Sequence, residues 1–384
     1  MTARILSLAL AASLITGTAQ AQEEPQEQKR QKTVNIGLVY PISTTGLNAP
    51  NTINYFSTNA IGGISYDERS FCASGVTNIV KHNANGVIAA GFSNHISNDA
   101  SGLQAAGFMN TVNGNSQGVQ AAGFGNYSGS IKGVQMGGFI NITRGQVKGL
   151  QAAGFANLAS DADVQLSGFL NRTHTTNTQF GGFINVAKHV HGAQVSGFIN
   201  VAEKVDGVQL AGFINIADSC DYPIGLINIM RKGEMNLGVS IDESQTAIVA
   251  FRSGGKKLYG ILGAGINLQQ ASIGTDGAWP FYALEGGLGA HINISRHFRV
   301  NLEGVVTTIS DFYVGYYMRT SLRVMPSLTL AQHVELFAGP TINMEESSVN
   351  GGFGLRSNYT WGNNFWSSLR GLYIGAVGGI SYKF

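Results

Sequence analysis

The arrangement of polar and apolar residues divides the chain into two parts with different periods. From Ser70 to Asn228 a nine-residue phrase of the type GVQxAGFxN occurs eleven times, and after Gly233 apolar and polar residues alternate with a period of two. A phrase that returns every 13 to 16 residues predicts a stacked array. Strict alternation predicts β-strands with two unlike faces. The copies of the phrase begin at Ser70, Gly86, Gly102, Gly118, Gly133, Gly149, Asp163, Asn177, Gly192, Gly207 and Cys220.

Four positions of the phrase are nearly constant. The sixth is Gly and the ninth is Asn in all eleven copies, the seventh is Phe in nine, and the third is Gln in eight consecutive copies. A glycine kept at one position predicts either a positive φ or a close approach of backbone. The residues chosen to represent the structural repeat are Gln104, Gly107, Phe108, Asn110, Gln120, Gly123, Phe124, Asn126, Gln135, Gly138, Phe139 and Asn141.

A parallel β-solenoid of about eleven short coils accounts for this regularity. Like residues then lie over like, so Phe forms an apolar column while Asn and Gln form side-chain amide ladders that satisfy otherwise costly polar groups. The segments between copies, such as 111–117 and 201–206, vary in length and carry most of the charge, and we expect them to form a solvated edge. The alternative is that the copies are antiparallel strands of a meander or of one large barrel.

The residues before the repeats predict export and then a cap. Residues 1–21 have a positive start, an apolar stretch and an Ala-Gln-Ala cleavage site, which is typical of a secretory signal peptide. Residues 22–32 are polar and predict a linker. Residues 33–69 contain an apolar strand and a Gly- and Asn-rich passage, and we expect them to cap the first coil, because an open β edge invites pairing.

Residues 234–384 predict an eight-stranded antiparallel membrane β-barrel. In the last strand, apolar residues from Leu372 to Phe384 share one face, and the terminal Phe384 resembles the final strand signal of outer-membrane barrels. Short links at 253–256, 295–297 and 331–333 alternate with longer ones, as periplasmic and extracellular links do. The predicted strands are 236–241, 246–252, 257–268, 281–294, 297–309, 316–330, 333–344 and 371–384.

The barrel side chains predict a paired, charged interior and an aromatic girdle. An eight-stranded barrel has an interior just filled by side chains, so inward charges must neutralise one another. The expected interior charges are Glu285, Glu303, Glu335, Arg299, Arg319 and Arg323. The expected girdle at the outer strand ends consists of Phe281, Tyr282, Phe312, Tyr313, Tyr316 and Tyr317.

Little in the sequence predicts chemistry. The net charge of +2 and the absence of a basic cluster argue against nucleic-acid binding. We expect no metal and no cofactor, because His189 and His191 lack further ligands at useful spacing. His291 with Ser295 leaves an outer-membrane hydrolase as a minority alternative. Cys72 and Cys220 lie in the first and last copies, so a rod keeps both thiols unpaired.

The repeats, followed by PIGLINIMRKG at 223–233, resemble the surface repeat-containing proteins of Bacteroides-type bacteria and spirochaetes over roughly residues 34–250. That resemblance implies a cell-envelope location and assigns no activity. We therefore expect a non-enzymatic outer-membrane protein at the cell surface, with lipid as a partner and an extracellular ligand or glycan as a further one. Its role would be structural or adhesive, and the alternative is an autotransporter-like barrel that displays the repeats.

Overall fold

The computed structural model describes residues 30–255, 257–268, 281–310, 317–348, 360–365 and 368–384. The chain forms a parallel β-solenoid of about 12 turns and a closed eight-stranded antiparallel β-barrel. The predicted fold class is thus confirmed. The predicted signal peptide lies outside the described residues, and so does the predicted linker as far as residue 29.

The strands belong to two separate sheets, one for each part of the chain. The solenoid contains β1 (Arg30–Val39), β2 (Ile42–Ser43), a short 3-10 helix (Gly46–Asn51), β3 (Thr52–Ser65), β4 (Asp67–Ser74), β5 (Thr77–Val80), β6 (Ala84–Ala90), β7 (Ser93–Ile96), β8 (Ala100–Ala106), β9 (Met109–Ala122), β10 (Gly125–Gly137), β11 (Ile140–Ala153), β12 (Ala156–Ser167), β13 (Leu170–Arg172), β14 (Thr175–Gly181), β15 (Ile184–Val186), β16 (His189–Ser196), β17 (Ile199–Val201), β18 (Lys204–Ala211), β19 (Ile214–Ala217), β20 (Ser219–Ile224) and β21 (Ile227–Met230). The barrel sheet contains β22 (Glu234–Asp242), β23 (Thr246–Gly254), β24 (Leu258–Asn267), β25 (Phe281–Asn293), β26 (Phe298–Ser310), β27 (Tyr317–Ala331), β28 (Val334–Ser347), β29 (Trp361–Phe365) and β30 (Ser368–Lys383).

Neighbouring copies of the phrase pair in parallel and in register. Asn126 lies beside Asn110 on one side and beside Asn141 on the other. The alternative of one large antiparallel barrel is therefore wrong, because it would turn successive copies head to tail.

The glycines at positions six and one are required for different reasons. A Cβ on Gly107 or Gly123 would collide with the carbonyl oxygen of the equivalent glycine in the preceding coil. Position one adds a conformational demand, since Gly102 has a φ of 98° and Gly118 a φ of 118°. Neighbouring coils therefore touch through backbone alone at the sixth position, and the positive φ at the first position bends the chain within the strand.

The segment 33–69, expected to cap the stack, contributes a coil of its own. β3 pairs in parallel with β4 and β5, and β1 pairs in parallel with β3. The short β2 adds antiparallel pairing to β1. β1 begins at Arg30, so the last three residues of the predicted linker belong to a strand. The stack is therefore one coil longer than the number of clear copies of the phrase.

The barrel closes by antiparallel pairing of β22 with β30. The eight predicted strands are present with slightly different ends, but the stretch between the predicted strands 333–344 and 371–384 also contains β29. β22 pairs only with the part of β30 from Val377 to Lys383. β29 pairs with the beginning of β30, from Ser368 to Leu372. The sequence pattern missed β29 because it is only five residues long.

Apolar side chains point out of the barrel and most polar ones point in. Leu284 and Ile374 are 60% and 68% exposed, whereas Glu285 and Arg319 are almost fully buried. The interior also contains a cluster of apolar side chains: Ile248, Ala250, Tyr259, Ile261, Phe281, Ala283, Val305, Ile309 and Tyr317. The lumen is thus less uniformly polar than the alternation predicts.

The last solenoid coil packs against the outside of the barrel wall. A Cβ on Gly260, an outward position of β24, would collide with the carbonyl oxygens of Gly225 and Leu226. Ser253 also has outward parity on β23, yet it is fully buried because the last coil covers it. The two parts of the chain are therefore in direct contact at the end of β23 and the start of β24.

Candidate functional site

The asparagine ladder, formed by the ninth residues of the copies from Asn78 to Asn228, is continuous. Each Nδ2 donates to Oδ1 of the next Asn toward the C-terminus at 2.8–3.0 Å. The second amide hydrogen is also used, since Asn110 Nδ2 donates to the carbonyl oxygen of Ala121 at 2.8 Å. The predicted ladder residues Asn110, Asn126 and Asn141 are all buried members of it.

The glutamine ladder, formed by the third residues, has the opposite direction. Gln135 Nε2 donates to Gln120 Oε1 at 2.8 Å, toward the N-terminus, and the same link is repeated as far as Gln209. Gln104 is a correction to the prediction, because it is buried and neither of its amide atoms has a partner. The preceding residue in the column, Ile88, has no amide to accept from Gln104. The following residue, Gln120, has an amide, but its Nε2 is unpaired as well.

The phenylalanine column, formed by the nine seventh-position residues from Phe92 to Phe213, is stacked as predicted. Successive ring centroids are 4.8–5.3 Å apart and the rings are nearly parallel. The column lies on the outside of the solenoid, and eight of its nine members are 37–51% exposed. The amides therefore occupy the interior and the aromatic rings form the edge.

The opposite edge of the solenoid, the polar edge, consists of the segments between copies, among them 144–148 and 203–206. On it, Asp206 pairs with Lys204 at 2.8 Å, and His191 Nδ1 lies 3.7 Å from Asp206 Oδ2. The hydrogen bond from Lys204 lowers the pKa of the exposed Asp206 carboxyl. His189 lies beside Lys204 in the register rather than beside a second ligand.

The barrel interior is held by buried ion pairs. Arg323 Nη1 donates to Glu285 Oε1 at 3.0 Å, and Arg299 Nε donates to Glu335 Oε1 at 2.9 Å, both among the expected charges. Sequence reasoning missed three further members. Arg252 donates to Glu303 at 2.7 Å, Arg319 pairs with Asp242, and Glu234 accepts from Arg299 at 2.8 Å. Arg252 could have been identified from the sequence, because it lies two residues after Ala250 on β23 and so points into the barrel as Ala250 does.

The predicted aromatic girdle is only partly correct. Tyr282 is exposed on the outer surface, but Phe281 and Tyr317 are buried inside the barrel. The error is one of parity, because adjacent residues of a strand point to opposite faces. Phe312, Tyr313 and Tyr316 lie outside the described residues.

His291 lies in a polar setting without a nucleophile. Its Nδ1 lies 2.7 Å from Asn301 Oδ1, its ring stacks on Tyr259, and its Nε2 is 3.9 Å from Glu234. Ser295 instead accepts from the backbone N–H of Phe298. The two residues of the hydrolase alternative are therefore engaged with different partners.

Both cysteines are free, as the solenoid predicts. Burial raises the pKa of the Cys72 thiol well above its usual range, and the nearby Glu68 carboxylate adds to this. Burial likewise raises the pKa of Cys220 to about 11. Neither thiol is therefore a ready nucleophile near neutral pH.

In the part of the chain that the structure describes, no group of three or more His, Cys, Asp or Glu residues is arranged to hold a metal ion. Within those same ranges, no helix is long and apolar enough to span a membrane.

No protein-family model and no curated protein matches this chain. A solved structure described as "De novo design of transmembrane beta-barrels" aligns with 39% of this chain and 93% of its own, at 11% sequence identity and a TM-score of 0.21. The fold therefore follows from the strand pairings of the chain itself.

Proposed function

We propose that this protein is a non-enzymatic structural protein of a bacterial outer membrane, in which the barrel is the anchor and the solenoid is a contact surface. The observation that carries the proposal is the exterior of the closed barrel. It presents apolar side chains such as Leu284, Leu322 and Ile374 to the outside while charged residues are paired within. Lipid outside and a filled interior require this distribution.

The ion pairs across the lumen favour an anchor over a channel. Arg252, Glu303 and Arg323 are buried together, with Arg323 Nη1 3.7 Å from Glu303 Oε2. Opening a path through the lumen would separate charges that are buried and hydrogen-bonded. Removing one partner of such a buried pair costs about 3–5 kcal/mol of stability.

The attachment of the solenoid favours the periplasmic side. Its last coil contacts Ser253 and Gly260, which flank the short link between β23 and β24. Short barrel links face the periplasm in outer-membrane proteins. An autotransporter-like passenger would instead pass through the barrel to the opposite end. The resemblance of the repeats to surface repeat-containing proteins agrees with the cell envelope, and we place the solenoid on its inner side.

The polar edge is the surface we propose for contact with other envelope components. It varies in length and charge from coil to coil, whereas the interior ladders are constant. Structural amides account for the Asn and Gln residues, so a glycan or other ligand would be recognised by the polar edge alone.

A protease site inserted after Glu203 tests the location in a Gram-negative host. We expect the site to resist protease added to whole cells and to be cut once the outer membrane is permeabilised. The same site inserted after Val314 is the control, because Val314 lies between the predicted strands 297–309 and 316–330, in one of the longer links that we expect to be extracellular. It should be cut on whole cells. Cleavage at Glu203 on intact cells would contradict the periplasmic placement.

A further inference from the structure

Charge is sorted around the solenoid with almost no exceptions. Between positions two and nine of the eleven copies, the only charged residue is Asp221, in the last copy. From Ser70 to Asn228, most of the remaining charges lie on the polar edge, for example Arg144, Lys148, Lys204 and Asp206. Charge is thus concentrated on one edge of the stack, and the opposite edge is nearly free of it.

The uncharged edge is broadly apolar and exposed. The phenylalanine column forms the most prominent part of this edge. Outward residues at position four extend it, and they are all 37–45% exposed: Met136, Leu166, Phe180 and Leu210. A continuous apolar surface of this extent is unusual on a protein surrounded by water and marks a contact surface.

The phenylalanine column leads directly to the outer face of the barrel. Leu226 occupies position seven of the last copy, and a Cβ on Gly286 would lie 3.5 Å from its Cδ2. Gly286 has the same outward parity as Leu284 and Leu288, which are exposed apolar residues of the barrel exterior. The apolar edge and the barrel exterior therefore form one continuous surface.

The height of this junction falls within the apolar belt expected for a membrane barrel. Gly286 lies opposite Leu262, the fifth residue of β24 after the short link. With a rise of about 3.4 Å per residue and a tilt of about 40°, Leu262 is roughly 10 Å above the start of the strand. A belt about 25 Å tall covers this height.

We propose that the phenylalanine edge, meaning the phenylalanine column with its position-four neighbours, lies in the hydrocarbon of the lipid leaflet next to the short barrel links. This inference rests on the proposed membrane barrel and extends it. The solenoid lies along the membrane, with acyl chains covering its apolar edge and with its polar edge facing water. Lipid is the occupant because the same surface continues onto the barrel exterior, where lipid is already required.

Fluorophore quenching in proteoliposomes tests the inference on the full chain. Cys72→Ser and Cys220→Ser remove the two free thiols. Single cysteines are then introduced and labelled in four separate variants: Phe139→Cys and Phe169→Cys on the column, Lys148→Cys on the polar edge, and Leu284→Cys on the barrel exterior. The vesicles contain lipids with a nitroxide in the acyl chain, and iodide is the aqueous quencher.

We expect labels at 139, 169 and 284 to be quenched by the lipid nitroxide, and the label at 148 to be quenched by iodide only. If 284 is not quenched by lipid, the barrel does not span the membrane and the proposed function fails. If 284 is quenched while 139 and 169 respond to iodide, only the present inference fails. Protection of 139 and 169 from both quenchers would also overturn it, because a second copy or another protein would then cover the edge. Two column positions and a circular dichroism spectrum for each variant separate these results from misfolding.

Discussion

The backbone N–H of Asn228 donates to Ser253 Oγ at 2.9 Å, and the Asn228 side-chain amide donates to the Ser253 carbonyl oxygen at 3.2 Å. The final member of the asparagine ladder is thus satisfied by the barrel. At the other end, Asn78 Oδ1 accepts from Ser74 Oγ at 2.5 Å. A buried ladder must have partners at both ends, since an orphaned buried amide costs about 1–3 kcal/mol. The barrel is therefore part of what stabilises the solenoid.

Gly260→Val should detach the last coil from the barrel. The added side chain would collide with the carbonyl oxygens of Gly225 and Leu226, so the amides of 219–230 should exchange hydrogen faster in the full chain. Gly304→Val is the matched control, because Gly304 also points outward on the barrel and a Cβ there meets no atom within 4 Å. Unchanged protection in Gly260→Val would show that the wall does not hold the coil.

Gln151→Met should destabilise the solenoid, whereas Gln104→Met should be neutral or stabilising. Gln151 donates to Gln135 and accepts from Gln165, so its loss breaks both links and leaves Gln165 Nε2 buried without its partner, while Gln135 Oε1 keeps its bond from Thr143. The substitution should cost about 1–3 kcal/mol. Gln104 is equally buried but has no partner to lose. The effect of each substitution on solenoid stability is measured as the urea concentration at which the solenoid amides lose protection from hydrogen exchange. Equal effects of the two substitutions would argue against the ladder as a source of stability.

Glu68→Gln should stabilise the N-terminal coils at neutral pH. Burial raises the pKa of Glu68 above 4.5, although hydrogen bonds from Asn54 and Ser57 oppose this. The folded state therefore binds a proton more tightly than the unfolded state, and the stability contributed by Glu68 is complete below the unfolded pKa and is lost as the pH rises through the folded one.

Thermal unfolding at a series of pH values checks this sign. The advantage of Glu68→Gln over the unsubstituted protein should be present at pH 7, shrink as the pH falls through the folded pKa of Glu68, and level off below about 4, near the unfolded pKa. Glu203→Gln, on the polar edge, is the control and should show no such trend. An advantage that grows at low pH would contradict the assignment.

Arg323→Leu should destabilise the barrel by about 3–5 kcal/mol, because it leaves Glu285 buried without its partner. Arg370→Leu breaks the exposed pair with Glu346 and should change stability by less than about 1 kcal/mol. Guanidinium unfolding in detergent micelles measures both variants. The double variant Arg323→Leu with Glu285→Leu should recover part of the loss; no recovery would mean that the unpaired charge is not the cause.

The sequence predicted which residues form columns but not which way the columns face. The interval between copies determines that Phe108 lies over Phe92 and Asn126 over Asn110, because parallel pairing in register follows from the repeat. Whether a column points inward depends on the turn at Gly107 and its equivalents, which puts the following Phe outside. No pattern of apolar residues alone contains that information.

The contact between the two parts could not be predicted from the sequence. Gly260 and Gly286 are ordinary glycines of alternating strands until the last coil is placed against them. The interior pairs were more accessible, since parity selects the inward charges. Parity does not select partners, however, which is why Asp242 and Arg252 were missed.

The opposed directions of the two amide ladders have a consequence for the growth of the repeat. Each added coil contributes one asparagine link whose dipole points along the axis and one glutamine link whose dipole points back. The two contributions oppose each other, so the potential at the ends of the stack does not build up with length as it does in an α-helix. Adding or removing a coil therefore changes the electrostatic free energy of the stack very little. The gene encoding such a protein can then change its number of repeats while the potential at both ends of the stack stays the same.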